Sequence, residues 1–105
     1  MKKRSKRIIR SRRDLIGRLP CIVSGRRPVV LHHCSGGSMK TIGVHAAMAM
    51  KVHDRYIIPL HPDFHTGDYG IHTLGVETWE KKFGTQLKLL SRVEELLNES
   101  LYSWD

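Results

Sequence analysis

The chain has 105 residues, a hydrophobic fraction of 40% and a formal net charge of +8 at pH 7. A chain of this length can form one domain with a modest core, so a bound metal or a partner would help to stabilise it. It has no apolar run near ~18 residues, and no apolar run follows its basic start. The sequence therefore predicts neither a membrane span nor a secretion signal, and we expect a cytoplasmic protein.

The positive charge is concentrated at the N-terminus. Residues 14–105 contain equal numbers of basic and acidic residues, so the excess belongs to residues 1–13. A block of like charges is typically a flexible tail, and phosphate is the anion that it most readily meets. A solubilising or membrane-surface tail is the alternative. We predict a disordered arm over residues 1–13 that binds DNA through Lys2, Lys3, Arg4, Lys6, Arg7, Arg10, Arg12 and Arg13, followed by one folded domain over residues 14–105.

The first half of that domain reads as short elements. Residues 14–19 are predicted to form a helical turn with Asp14 as its N-cap, and a tight turn follows at Gly25. Residues 29–33 then form a short strand that ends in two histidines. The connection over residues 34–54 is long for so small a domain, which is typical of a functional loop, and a helical turn near its end is expected.

The second half is increasingly helical. Residues 55–59 predict a second strand stopped by proline, residues 61–65 one helical turn, and residues 66–70 a turn. Residues 76–83 carry apolar side chains at helical spacing. Residues 87–101 repeat leucine and valine at intervals of three and four, which predicts an amphipathic helix that covers the core. Its wide leucine face leaves open a homodimer.

All seven histidines fall between His32 and His72. Two imidazoles four residues apart on a helical turn, His61 and His65, can share one metal ion. Adjacent side chains on a strand point to opposite faces, so one of His32 and His33 can bind metal while the other does different work. Two strands and a short helix that together hold one metal suit phosphodiester hydrolysis, which needs a base and a cation.

Four segments resemble a phage-type branch of the HNH (ββα-metal, or His-Me finger) nucleases, which includes recombinase-dependent recombination-enhancement nucleases. They are residues 21–28 (CIVSGRRP), 31–33 (LHH), 48–54 (MAMKVHD) and 56–67 (YIIPLHPDFHTG). The resemblance covers residues 20–86. It implies an α+β fold with a small ββα-metal core and a metal-dependent DNA endonuclease activity, with nicking expected of a monomer.

Carried over by position, the resemblance makes His33 the general base and His32 a metal ligand. Asp54 lies where the family places the residue that holds the base or the metal, and His65 matches the terminal histidine ligand. His61 aligns either with a second helical ligand or with a structural-zinc cysteine.

The resemblance breaks at the structural zinc that the branch often has. Two Cys-x-x-Cys pairs are replaced here by Cys21 and Ser24, and by His61 and Phe64. Serine is a poor zinc ligand and phenylalanine is none, so we expect this zinc to be lost and Cys21 to be an ordinary buried cysteine. His61 is then free to join His32 and His65 on one divalent cation, for which Mg²⁺, Mn²⁺, Zn²⁺ and Ni²⁺ all stay open.

The other polar residues near this site have weaker signals. Lys51 and Arg55 flank it and are expected to hold the DNA backbone. Trp79 and Phe83 are expected in the core. His53 and His72 are expected in structural roles, with a phosphate contact as the alternative for His72, and His45 is not matched to a role. The resemblance also implies a substrate coated by a recombinase filament, which no residue by itself indicates.

Two other functions fit the same residues. One is a non-catalytic DNA-binding or recombination accessory protein stabilised by a metal, although such a site would not need His33 beside a ligand. The other is a toxin or a structure-specific nuclease that acts on RNA or branched DNA, because one fold can serve all these substrates.

Overall fold

The structure is a computed structural model that describes residues 11–45 and 52–102. It is an α+β domain with a two-stranded sheet surrounded by short helices and closed by one long helix. The helices are α1 (Arg12–Gly17), α2 (Pro62–His65), α3 (Ile71–Leu74), α4 (Val76–Phe83) and α5 (Gln86–Tyr102), the strands are β1 (Val30–His33) and β2 (Ile57–Leu60), and two 3-10 helices are η1 (Gly37–Ile42) and η2 (Asp54–Tyr56).

The two strands pair antiparallel, with Val30 opposite Leu60 and His33 opposite Ile57. The second strand begins later than predicted, at Ile57 and not at residue 55, because residues 54–56 form η2. Pro59 does not stop the strand but lies within it, opposite Leu31. A sheet of two strands has two edges, where a residue without an N–H is tolerated, and the Pro59 carbonyl accepts from the Ile22 N–H at 3.0 Å.

The domain begins earlier than residue 14. Ser11 is the N-cap of α1 and its side chain accepts a hydrogen bond from the Asp14 N–H, so the cap is Ser11 and not Asp14. A serine hydroxyl can satisfy an N–H of the first turn as well as a carboxylate can. Ile16, on the same helix, is completely buried. The last two basic residues of the predicted arm, Arg12 and Arg13, thus belong to the folded domain.

The core lies between the sheet, α1, η1 and the C-terminal helices. Trp79 is completely buried and its indole N–H donates to the Tyr69 carbonyl at 3.0 Å. Phe83 packs against the same core, so both aromatic residues lie where they were predicted. The buried hydrophobic residues are Ile16, Cys21, Cys34, Met39, Ile57, Ile58, Leu60, Ile71, Trp79, Leu90, Val93 and Leu97.

Helix α5 covers the core, as its leucine spacing predicted. Leu90, Val93 and Leu97 are buried, whereas Leu89 and Leu96 are half-buried. Among the side chains that the structure describes, the large hydrophobic ones that are exposed are Ile42 and Tyr69, and neither belongs to α5. Between Leu87 and Leu97 the leucine face therefore packs mainly against the core of the chain itself, and Leu101 lies outside the side chains that the structure describes.

Across residues 11–45 and 52–102, no helix combines the length and the apolar character needed to cross a membrane.

Candidate functional site

The end of β1 places two adjacent histidines in different surroundings. His32 is 5% exposed, while the side chain of His33 is 36% exposed. Consecutive residues on a strand project to opposite faces, as the sequence predicted. The two histidines therefore contact different groups of residues.

On one side, His32 lies with His65 of α2 and His72 of α3, and we call these three residues the histidine cluster. One ring nitrogen from each lies within 4.8 Å of the others, so the cluster could hold a metal ion. Ring centroids are 5.3 Å apart for His32 and His65 and 4.5 Å apart for His65 and His72. Three imidazoles match the donor set of open zinc sites, and imidazole also suits nickel and copper.

A compact glycine turn brings His72 back towards His65. A Cβ at Gly70 would lie 2.5 Å from the carbonyl oxygen of His65, and one at Gly67 would lie 2.8 Å from the Asp63 Cα. Any larger residue would push α2 and α3 apart. The Thr73 hydroxyl also donates to the Gly67 carbonyl at 2.7 Å, which ties α3 to the turn that follows α2.

Burial favours the uncharged form of two of these rings. Desolvation lowers the pKa of His32 to about 4, and the hydrogen bond to Gln86 opposes this shift only in part. The pKa of His65 is also lowered, first by burial and then by the nearby His72. The Nε2 atoms of His65 and His72 are 3.1 Å apart, so one ring donates to the other. Metal coordination needs neutral imidazoles, and burial favours that form for His32 and His65.

On the other side of β1, His33 opens into a pocket of about 480 Å³ lined by Arg13, His33, Val52 and Asp54, which we call the His33 pocket. The His33 Nε2 atom is 2.9 Å from Asp54 Oδ1. The Arg13 guanidinium reaches the same carboxylate oxygen at 3.3 Å. The carboxylate therefore joins a histidine and an arginine at the wall of an open pocket.

The charge of Asp54 is stabilised by these two neighbours. The hydrogen bond from His33 is the main cause that lowers the pKa of the Asp54 carboxyl, and the positive charge of Arg13 lowers it further. An ionised carboxylate accepts hydrogen bonds only. The His33 nitrogen that faces it must therefore carry the proton.

His61, predicted as a metal ligand, does not lie in the histidine cluster. It is the N-cap of α2, and its Nδ1 atom accepts a hydrogen bond from the Asp63 N–H at 3.1 Å. His72, predicted to be structural, occupies the third position instead. Spacing of four on an ideal helix favoured His61, but α2 begins only after that residue. The sequence feature that could have indicated His72 is the glycine turn that precedes it.

His53, by contrast, is structural as expected, because its Nδ1 atom accepts from the Arg55 N–H at 3.0 Å.

The basic residues predicted to bind DNA separate into different groups. Arg12 is turned inward, where its guanidinium donates to the carbonyls of Asp54 and Arg55 and contacts Glu94. Arg13 faces the His33 pocket, and Arg55 is exposed, 6.0 Å from the centre of the Tyr56 ring. The described residues do not include the rest of the arm or Lys51. They also leave out most of the helical turn predicted near the end of the long connection.

Both cysteines are free and buried, as expected for Cys21. Burial acts to raise the pKa of the Cys21 thiol, but the N–H groups of His61 and Ser24 that point at its sulfur leave that pKa lowered. Cys34 has a raised pKa because it is buried, with the charge of Glu80 adding to the shift. A thiol with a raised pKa is a poor nucleophile and a poor metal ligand, so Cys34 acts as a small core residue.

Comparison with known proteins gives a family without an assigned activity. No curated protein and no solved structure matches the chain. A family model described as a protein of unknown function, DUF968, matches residues 3–101. That match spans nearly the whole sequence, including both histidines of β1 and all the residues of the histidine cluster. The chain belongs to the DUF968 family.

Proposed function

We propose that this protein is a metal-dependent DNA endonuclease of the HNH (ββα-metal) type. The observation that carries the proposal is the end of β1, where adjacent histidines serve two different groups. His32 joins a cluster able to hold a cation, while His33 is hydrogen-bonded to Asp54 in an open pocket. Hydrolysis of a phosphodiester needs a cation and a base, and adjacent residues at the end of one strand would serve both.

The order of elements supports the same proposal. Strands β1 and β2 form an antiparallel pair, and α2 follows β2 after a single residue. His65, the last residue of α2, returns to within a ring contact of His32 on β1. Two strands and a helix thus surround the cluster, which is the arrangement that the resemblance to HNH nucleases implies.

His33 is the proposed general base. Its Nε2–H donates to Asp54, so the lone pair of the neutral ring lies on Nδ1. Nδ1 removes a proton from a water molecule as the water oxygen attacks phosphorus. The bond to the leaving sugar oxygen breaks, and that oxygen takes a proton from solvent. The imidazolium that results is stabilised by the Asp54 carboxylate, and its proton is later returned to solvent.

The histidine cluster is the proposed cation site, with His32, His65 and His72 as ligands. A divalent cation bound there would stabilise the negative charge that develops on the phosphate and the leaving oxygen. The cluster fits such an ion because its three rings lie close together and burial favours the neutral form of His32. An all-imidazole donor set favours Zn²⁺ or Ni²⁺ over Mg²⁺ and Mn²⁺, which prefer oxygen ligands.

Arg13 is proposed to contact the substrate phosphate. Its side chain is 52% exposed and lies in the His33 pocket beside an acid that is also exposed. An exposed ion pair is weak, so an incoming phosphate can compete with Asp54 for the guanidinium. The six basic residues among the first ten would add contacts along the DNA backbone.

The test is nicking of supercoiled plasmid by the purified full chain, with EDTA or with Mg²⁺, Mn²⁺, Ni²⁺ or Zn²⁺ in parallel. His33→Ala is the catalytic variant, and His45→Ala, at an exposed position outside both groups, is the matched control. Metal-dependent nicking that is lost in His33→Ala and kept in His45→Ala supports the proposal. Cleavage by His33→Ala at the wild-type rate would contradict the role of the base.

The same assay separates the competing functions. Tight plasmid binding with no cleavage by any metal, on naked or on recombinase-coated single-stranded DNA, would identify a metal-stabilised binding protein. Faster cleavage of RNA or of a branched junction than of plasmid would assign a different substrate to the same site.

A further inference from the structure

Gln86 is a polar side chain that is completely buried at the first turn of α5. Its Nε2 atom lies 3.0 Å from the Ser35 carbonyl oxygen and 3.3 Å from the Gly36 carbonyl oxygen. Carbonyl oxygens only accept hydrogen bonds, so the amide NH₂ must be the end that faces them. The orientation of the amide is therefore determined, and its oxygen points the other way.

That oxygen faces the buried ligand of the histidine cluster. Gln86 Oε1 is 3.1 Å from His32 Nε2. Because an amide oxygen cannot donate, the His32 nitrogen that faces it must carry the proton. The lone pair of the neutral His32 ring then lies on Nδ1, the only ring nitrogen left to bind a cation.

Two further residues hold Gln86 in place. Glu80 Oε2 accepts from the Gln86 backbone N–H at 2.8 Å and from the Ser38 hydroxyl at 2.6 Å. Its other oxygen accepts from the Ser38 N–H at 3.0 Å. Partial burial acts to raise the pKa of Glu80, but these hydrogen bonds leave it lowered, so the acid is ionised and accepts. Helix α4 and η1 thus fasten the first turn of α5.

We propose that Gln86 is a positioning residue that holds His32 in the Nε2–H tautomer and so presents Nδ1 to a divalent cation at the histidine cluster. The inference rests on the cation site of the proposed function. A hydrogen-bond acceptor behind a metal-binding histidine fixes its tautomer and orientation, and loss of such an acceptor typically weakens metal affinity ~10–100-fold.

The first measurement is made on the metal-free full chain. Long-range ¹H–¹⁵N correlation spectra report which nitrogen of each imidazole carries the proton. We expect the Nε2–H tautomer for His32 in the wild type, and a mixture of tautomers in Gln86→Leu. A wild-type His32 that carries its proton on Nδ1 would overturn the proposal, and this result needs no variant to fold.

The second measurement is calorimetric titration of the same proteins with Zn²⁺. We expect Gln86→Leu to bind ~10–100-fold more weakly than the wild type. Leu90→Ala is the matched control, because it removes core packing from the same helix and leaves the His32 acceptor in place. A merely structural role would weaken binding equally in both variants, and that outcome would overturn the proposal.

A third comparison covers the case in which Gln86→Leu unfolds. Gln86→Glu keeps an acceptor for His32 but gives up the donors to Ser35 and Gly36. We expect it to keep the Nε2–H tautomer, although the domain is less stable. Loss of that tautomer in a folded Gln86→Glu protein would contradict the assigned role of the amide oxygen.

These readouts separate this inference from the proposed function. The expected tautomer and Zn²⁺ affinities without any nuclease activity would support the inference and refute the endonuclease. A wild type that binds none of the metals would refute the cation site and the role of Gln86 together.

Discussion

The two sides of β1 differ in what surrounds the same kind of side chain. His32 is 5% exposed, packs against two further imidazoles and donates to a buried amide. His33, the next residue, borders an open pocket and donates to an ionised carboxylate whose pKa it lowers. One imidazole is kept neutral by burial, and the other is placed beside a charge that can stabilise it once it is protonated.

This difference divides the chemistry between adjacent residues. Imidazoles that lie close together around a buried, neutral His32 suit a cation, whereas a hydrogen-bonded ring at the wall of an open pocket can exchange protons with solvent. The comparison predicts that variants on the two sides fail in different ways.

The largest effect is expected at His33, the more exposed of the two histidines. His33→Ala should lose ~10²–10⁴-fold in nicking rate, because the general base is removed. Its Zn²⁺ affinity, measured by calorimetry, should stay that of the wild type, since the histidine cluster is untouched. A variant that loses metal affinity as well would show that the two sides are not separate.

Removal of a ligand from the histidine cluster should instead reduce the affinity for metal. His72→Ala should lose metal affinity by more than the ~10–100-fold expected for a group behind a ligand, because a donor atom itself is lost. His61→Ala is the matched control, since its ring caps α2 and lies outside the cluster. Equal losses of Zn²⁺ affinity in the two variants would restore His61 as a ligand.

Lowering the pH should reduce the free energy of unfolding of the metal-free protein, because of the buried His32. The pKa of His32 is lowered to about 4, so the unfolded chain binds a proton at a higher pH than the folded chain. The free energy of unfolding has its full value above the ordinary histidine pKa of ~6.5 and falls as the pH is lowered from there to about 4. The total loss over this range is about 3 kcal/mol.

Urea unfolding in EDTA, near pH ~7 and near pH ~5, measures this loss. His32→Gln cannot titrate and should show a much smaller change over the same range. A wild-type free energy of unfolding that stays constant across that range would contradict a neutral, buried His32.

The smallest effect is expected at Asp54. Asp54→Asn keeps an oxygen that can accept from His33 but removes the charge. The pair is exposed, with 36% of the His33 side chain and 44% of the Asp54 side chain accessible, so solvent screens it. Because an exposed ion pair is weak, we expect a much smaller loss in the plasmid nicking rate than for His33→Ala. A loss as large as that of His33→Ala would show that the carboxylate has a further role.

The regular elements were predictable because they depend on local periodicity. The strand that ends in His32 and His33, the turn of α2 and the long amphipathic α5 all follow from residues close in sequence. The predicted limits of β2 were less accurate, since η2 takes the residues that the β-propensity of Tyr56 favoured for a strand.

The histidine cluster was only partly predictable because it depends on close approach. His72 reaches His65 through a turn that only glycines permit, and Gln86 reaches His32 from 54 residues away along the sequence. Arg12 and Arg13 were indistinguishable as members of one charged run. Successive residues of helix α1 point in different directions. Arg12 therefore turns towards the backbone of η2, and Arg13 turns towards the His33 pocket.

The inward contact of Arg12 determines where the basic tail can be cut. Its guanidinium holds the carbonyls of Asp54 and Arg55, so it supports the backbone that carries the acid paired with His33. A deletion of residues 1–13 would remove this support, the α1 cap at Ser11 and Arg13 together with the tail. A truncation that ends at residue 10 would leave all three in place, and only that shorter truncation can assign a change in DNA affinity to the tail itself.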